Sequence, residues 1–249
     1  MPHATSIEGV LQSLDDIIDT SIRENSRIGY FAALYRRVTA EVKGRIEKGR
    51  FHDSDRMEHL DVVFANRYLA AYNNFRRGWP TTRSWAIAFR KADDPDLIVL
   101  QHLLLGMNAH INLDLGISAA EIAEYESTVG FEDDFNQIND VLFDLVDEIQ
   151  ETLGVTSTFL RVADKLGGRL DEHLCGHALA WARGNAWEKA QRILRSPRLL
   201  AKLTDEFDRE TEGHATRIHS PTGFLRQIIG MLKEEEDERV GTLVSMMRR

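Results

Sequence analysis

The stretch "LIVLQHLLLGMNAHINLDLG", residues 97–116, is apolar along most of its length yet carries Gln101, His102, Asn108, His110, Asn112 and Asp114. At 100° per residue, His102, Gly106, His110 and Asp114 fall along one slowly drifting strip, and Gln101, Asn108 and Asn112 along another. Between them stand Leu104, Met107, Ile111 and Leu115, so apolar side chains cover most of the girth. Such a segment reads as a helix buried at the centre of a protein. A buried amide or imidazole without a partner costs about 1–3 kcal/mol, so each polar group must meet another helix, a water, an ion or a ligand.

Outward from this segment the same periodicity continues. Apolar residues recur at spacings of three and four, strict alternation over strand-length runs is missing, and only five prolines occur in 249 residues. The fold class is all-α: one domain over 1–249, a bundle of about ten helices around a central buried helix at about 95–115. Capping chemistry places the boundaries. Ser6 opens a helix over 6–23, Ser26 one over 26–49 and Ser54 one over 54–78, and Pro80 starts a segment ending near 92. Asp94 with Pro95 at the first helical position starts the central helix, and Gly116 stops it. "SAAE" at 118–121 is a capping box opening a helix to about 130. Helices follow over 132–153, 156–166, 169–195, 197–212 and 221–248. The N-terminal stripe of Ile7, Val10, Leu11, Leu14, Ile17 and Ile18 packs on its own domain or on a second copy, which leaves a homodimer open.

Composition limits the function classes. Hydrophobic residues make up 43% of the chain, enough for a substantial core, and the net charge is −9 with basic residues scattered among acids. No electropositive face suits a phosphate backbone, so nucleic acid is excluded as a partner. The single cysteine, Cys175, rules out an internal disulfide and a cysteine-rich zinc site. No run approaches the ~20 apolar residues of a membrane span, and no basic leader precedes an apolar core at the N-terminus. The expected location is the cytoplasm and the expected partner a small-molecule substrate.

Within the central helix, His110 and Asp114 stand one turn apart, where an imidazole and a carboxylate converge on one metal ion or bond each other. His102 lies about 12 Å further along the axis, too far to share that ion. Gly106, a poor helix former, implies something packed closely against it. In "RLDEHLCGHALAWARGNAWEKA", His173 and His177 form a second pair at ligand spacing, followed by Trp181, Arg183 and Trp187; the two tryptophans read as core. "RFHDSDRMEHLD" reads as a solvated helix start from which Glu58 or His59 turns inward. Asp133 and Asp134 read as cap residues, "KEEEDERVG" as a solvated charged face, and His214 and His219 as surface residues flanking a turn.

"GMNAHINLDL", with "RFHDSDRMEHLDVVFANRYLAAY" before it and "DDFNQINDVL" and "ARGNAWEKA" after it, resembles a bacterial all-helical family of unknown function over about 51–190. A looser similarity is to the zinc-dependent phospholipase C and P1-nuclease group, helical hydrolases with H-x-x-x-D on one helix and H-x-x-x-E or H-x-x-x-D on a later one. His110 with Asp114 matches the first pair. The second departs, because His177 rather than a carboxylate follows His173. That similarity therefore implies a one- or two-metal site.

Three functions follow. The first is a small-molecule hydrolase with a divalent metal (zinc first, iron or manganese as alternatives) on His110, Asp114, His173, His177 and His59. Arg183 would hold an anionic substrate group, and no nucleotide cofactor is needed. The second keeps the pocket without the metal: His110, oriented by Asp114, works as general acid or base and Asn108 or Asn112 polarises a carbonyl, as in an isomerase, lyase or cyclase. The third is a non-catalytic binding or scaffold protein whose buried polar residues set helix register.

Overall fold

A computed structural model of the chain describes residues 3–152, 174–236 and 239–248, with side chains at 143–152, 174–180 and 235 left out. Among the described residues the chain is helical, without strands. Helix α1 (Ile7–Glu24) is capped by the Ser6 hydroxyl, which accepts from the Gly9 N–H at 3.2 Å, and ends at Asn25 in the left-handed region, φ 53°. Its apolar stripe is buried in its own chain, against α2 (Ile28–Glu47), α3 (Ser54–Arg76) and a C-terminal helix, Val240–Met247. Then come α4 (Arg83–Lys91) and α5 (Val99–Ala109). A π-helical turn over His110–Leu115 runs directly into α6 (Gly116–Tyr125). The remaining helices are α7 (Phe131–Thr152), α8 (Leu174–Arg195), α9 (Leu200–His219), α10 (Gly223–Glu235) and α11 (Val240–Met247). One core draws residues from Ala4 to Met247.

The central segment is buried as its composition requires, but its ends differ from those expected. Asp94 and Pro95 form a turn in which the Asp94 carboxylate accepts from the Asp96 N–H and from Lys91. The helix starts later, at Val99, because Leu97 and Ile98 are drawn into apolar clusters with α9 and α10, and the Val99 N–H is capped by Glu236 at 2.8 Å. At the other end, Gly116 does not stop the helix. A Cβ there would stand 2.6 Å from the Ala186 carbonyl oxygen and 3.0 Å from Lys189 Cβ, so glycine serves close approach to α8. Gly116→Ala is expected to cost about 1–3 kcal/mol, read as a lower urea midpoint with unchanged slope. Gly106 serves the same end toward α2, where an added Cβ would stand 2.5 Å from Phe31.

Because α6 continues α5, "SAAE" opens no helix; Ser118 is fully buried and its hydroxyl accepts from Arg67 Nε at 3.0 Å. Asp53, not Ser54, caps α3, accepting from the Arg56 N–H at 3.0 Å. The segment expected as one helix over 221–248 is two, α10 and α11, separated where Glu236 turns inward to cap α5; "KEEEDERVG" is therefore not solvated throughout. Helix α9 extends to His219, which places His214 inside it rather than beside a turn. Trp187 packs edge-on to Phe131, but Trp181 is exposed. Arg56 and Asp134 are buried and joined at 2.7 Å, so neither stands on a solvated helix start. The helix expected over 156–166 lies outside the described residues.

The two polar strips of the central segment face different neighbours. Asn108 Nδ2 donates to the Thr211 carbonyl at 2.9 Å and Gln101 Nε2 to the Ile218 carbonyl at 2.7 Å, both on α9. The wide π turn leaves the Asn112 carbonyl to accept from Lys189 Nζ of α8 at 2.8 Å. The other strip, with Gly106 and His110, faces α2 and α3.

Candidate active site

The π turn places His110 and Asp114 on one side with their side chains in contact. Asp114 Oδ2 accepts from Trp85 Nε1 of α4 at 2.8 Å and lies 3.2 Å from His110 Nδ1. An indole N–H only donates, so Oδ2 acts as an acceptor there, and this network assigns the imidazole proton to Nδ1, leaving Nε2 with its lone pair. The ring stacks on Phe64, centroids 3.5 Å apart and planes at 7°, and meets the Tyr35 ring edge-on at 4.5 Å. Burial lowers the His110 pKa; the Asp114 contact opposes that shift without overcoming it.

Beside this ring lies a cavity of about 70 Å³, walled mainly by apolar side chains of α2, α3, the central segment and α7. Its polar lining among the described residues consists of His110, Tyr35, Asp61 and Arg183. Among the described residues, His110 Nε2, Asp61 Oδ2 and Arg183 Nε have no hydrogen-bond partner, and Tyr35 Oη lies beside the Thr39 hydroxyl outside hydrogen-bonding geometry. Each such buried group costs about 1–3 kcal/mol, and these border one cavity, whereas the others among the described residues, on Thr39, Arg56, Tyr68, His102, Asn112 and Asn139, do not. Burial and the Tyr35 environment agree: desolvation, then the Asp61 and Asp114 charges, push its phenol up. Arg183 Nη2 donates to the Phe135 carbonyl and its guanidinium lies 4.4 Å over the Phe135 ring. Desolvation brings its pKa down to about 9.

Asp61 is pushed up to about 7 by burial and, secondarily, by Glu58. Its unfolded value is about 3.9. Between these values the folded chain keeps a proton that the unfolded chain has released, so rising pH weakens the fold across that window. Asp61→Asn removes the effect. The variant's unfolding free energy is expected to pull ahead of the native chain's by a few kcal/mol between about pH 4 and 7.5, measured by urea titration. A gap that stays constant over this range contradicts a buried, neutral Asp61.

The remaining sequence candidates separate. Asn108 does not border the cavity; its side chain joins α9 and accepts from Asn112 Nδ2 at 2.9 Å. His59 is exposed and paired with Glu126, away from the cavity. His173 and the side chain of His177 lie outside the described residues. Among the described residues, no three His, Cys, Asp or Glu side chains are grouped to hold a metal ion. Three contributors escaped the sequence reading: Trp85, Tyr35 and Asp61. Asp61 carried a legible signal, since it shares the apolar stripe of Met57, Leu60, Phe64 and Tyr68 on α3.

No helix among the described residues is long and apolar enough to cross a membrane. No curated protein and no solved structure matches the chain. A family of unknown function, DUF5995, matches residues 7–221, which include the whole central segment and every residue of the described cavity, and the chain belongs to that family.

Proposed function

We propose that the cavity is the active site of a metal-independent acid–base enzyme acting on a small molecule, of the isomerase, lyase or cyclase class. The observation that carries this reading is the Trp85–Asp114–His110 network, which leaves Nε2 of a neutral imidazole unpartnered at the cavity. In the reaction, Nε2 takes a proton from the bound molecule, Asp114 stabilises the imidazolium that forms, and the proton returns to a second atom of the product. Tyr35 and neutral Asp61 supply hydrogen bonds to charge developing on the substrate.

Two measurements test it. Nitrogen-15 spectra are expected to show His110 as the neutral Nδ1–H tautomer from about pH 7 to 8, its titration moved below that of a free imidazole. A titrating imidazolium there, or a proton on Nε2, refutes the assignment. In deuterated water, a panel of short enolisable ketones and oxo acids is expected to take up deuterium, with exchange surviving exhaustive chelation and lost in His110→Gln.

A metal-dependent hydrolase is the second reading. It is favoured by the carboxylate–histidine pair itself, since a ligating histidine commonly donates its other ring N–H to a carboxylate. Here Nε2 would bind the ion and water activated by it would be the nucleophile. Activity lost on chelation and restored by zinc would select this reading over the first.

A further inference from the structure

Arg183 is a cation in a place where a cation needs a reason. Its side chain is buried, it belongs to the wall of the His110 cavity, and among the described residues no carboxylate stands within ion-pair distance of it. Asp61, the carboxylate on the same wall, is not its partner. One guanidinium nitrogen, Nη2, is used by the Phe135 carbonyl, while Nε is left without an acceptor. Among the described residues the rest of the wall is apolar, including Leu34, Val38, Ile138 and Leu142. A doubly charged phosphate needs more than a single cation in so dry a site, whereas a carboxylate matches a planar guanidinium edge. Size narrows the class further. The cavity's 70 Å³ exceeds the ~10–15 Å³ that holds one water and is about half the ~150 Å³ that admits benzene.

We propose that the cavity binds the smallest aliphatic carboxylates, of the size of acetate and propionate, the carboxylate on Arg183 and the hydrocarbon body against the apolar side chains of α2 and α7. The inference rests on reading this cavity as a small-molecule site and names the substrate class for it.

Calorimetric titration of the full chain with acetate, propionate, propionamide, benzoate and inorganic phosphate tests it. Acetate and propionate are expected to bind, with propionamide at least about tenfold weaker than propionate, benzoate shut out by its size, and Arg183→Gln abolishing the preference for the carboxylate over the amide. Arg183→Lys, which keeps the charge and loses the planar edge, is expected to fall between the two and covers the case in which Arg183→Gln fails to fold. Propionamide or benzoate binding as tightly as propionate, phosphate binding in place of the carboxylates, or no binding of either carboxylate overturns the proposal. The same titration in His110→Gln separates it from the acid–base reading. Propionate binding is expected to persist there while deuterium exchange is lost. Exchange that persists counts against His110 as the base and leaves the carboxylate site standing; a failure of propionate with exchange still dependent on His110 does the reverse.

Discussion

Asp134→Ala is expected to lower the unfolding free energy by about 3–5 kcal/mol, the largest single effect outside the cavity. Arg56 and Asp134 are 1% and 0% exposed, and the carboxylate accepts from Arg56 Nη2 at 2.7 Å, from the His52 N–H at 2.7 Å and from the Asp53 N–H at 3.1 Å. Removing it leaves a buried guanidinium with the Ser127 and Val129 carbonyls, the Phe131 ring and, as its remaining negative charge, a partly exposed Asp53 carboxylate at 4.0 Å. It also strands two backbone donors at the start of α3. Chemical denaturation measures the loss, and a value under about 1 kcal/mol would mean that the pair is solvated. The double variant Arg56→Met, Asp134→Leu is expected to recover only part of the stability. Apolar replacement suits a plain ion pair, but here the two N–H groups at 52 and 53 still lack their acceptor.

Asp114→Asn is expected to cut deuterium exchange by roughly 10²-fold or more while leaving the fold intact, within the range that general acid–base groups contribute. An amide oxygen still accepts from Trp85 and His110, so the geometry persists, but the negative charge that stabilises the imidazolium is gone. Asp114→Leu, by contrast, leaves Trp85 Nε1 and His110 Nδ1 without an acceptor and is expected to destabilise the chain by about 1–3 kcal/mol for each. Exchange unchanged in a folded Asp114→Asn protein would reduce Asp114 to a structural partner of Trp85.

Much of the site was legible in the chain because helical periodicity converts spacing directly into direction. His110 and Asp114, four apart, had to share a face, and an apolar girth had to bury them. Gly106 signalled a close neighbour, which is Phe31. What spacing does not convey is which separate segment arrives opposite. Trp85 stands 29 positions before Asp114 and Tyr35 lies on another helix, so neither was visible as a partner of the pair. Asn108 shows the converse: its burial was foreseeable, but its acceptor on α9 makes it a packing residue, away from the cavity.

The helix ends make the same division. By itself the sequence determined that the chain is helical, which segment is central and where α1 begins, because periodicity and a cap such as Ser6 act within one turn. Only the tertiary structure decided the starts of α4 and α5. Their first N–H groups are satisfied by Asp208 and Glu236, which lie 125 and 137 positions away in the chain. Likewise Gly116, by local chemistry a stop, lies inside a continuous helical run, where the Ala186 carbonyl of α8 occupies the space a side chain would need. A helix end requires any acceptor within reach, and the local sequence announces only the acceptors it carries itself.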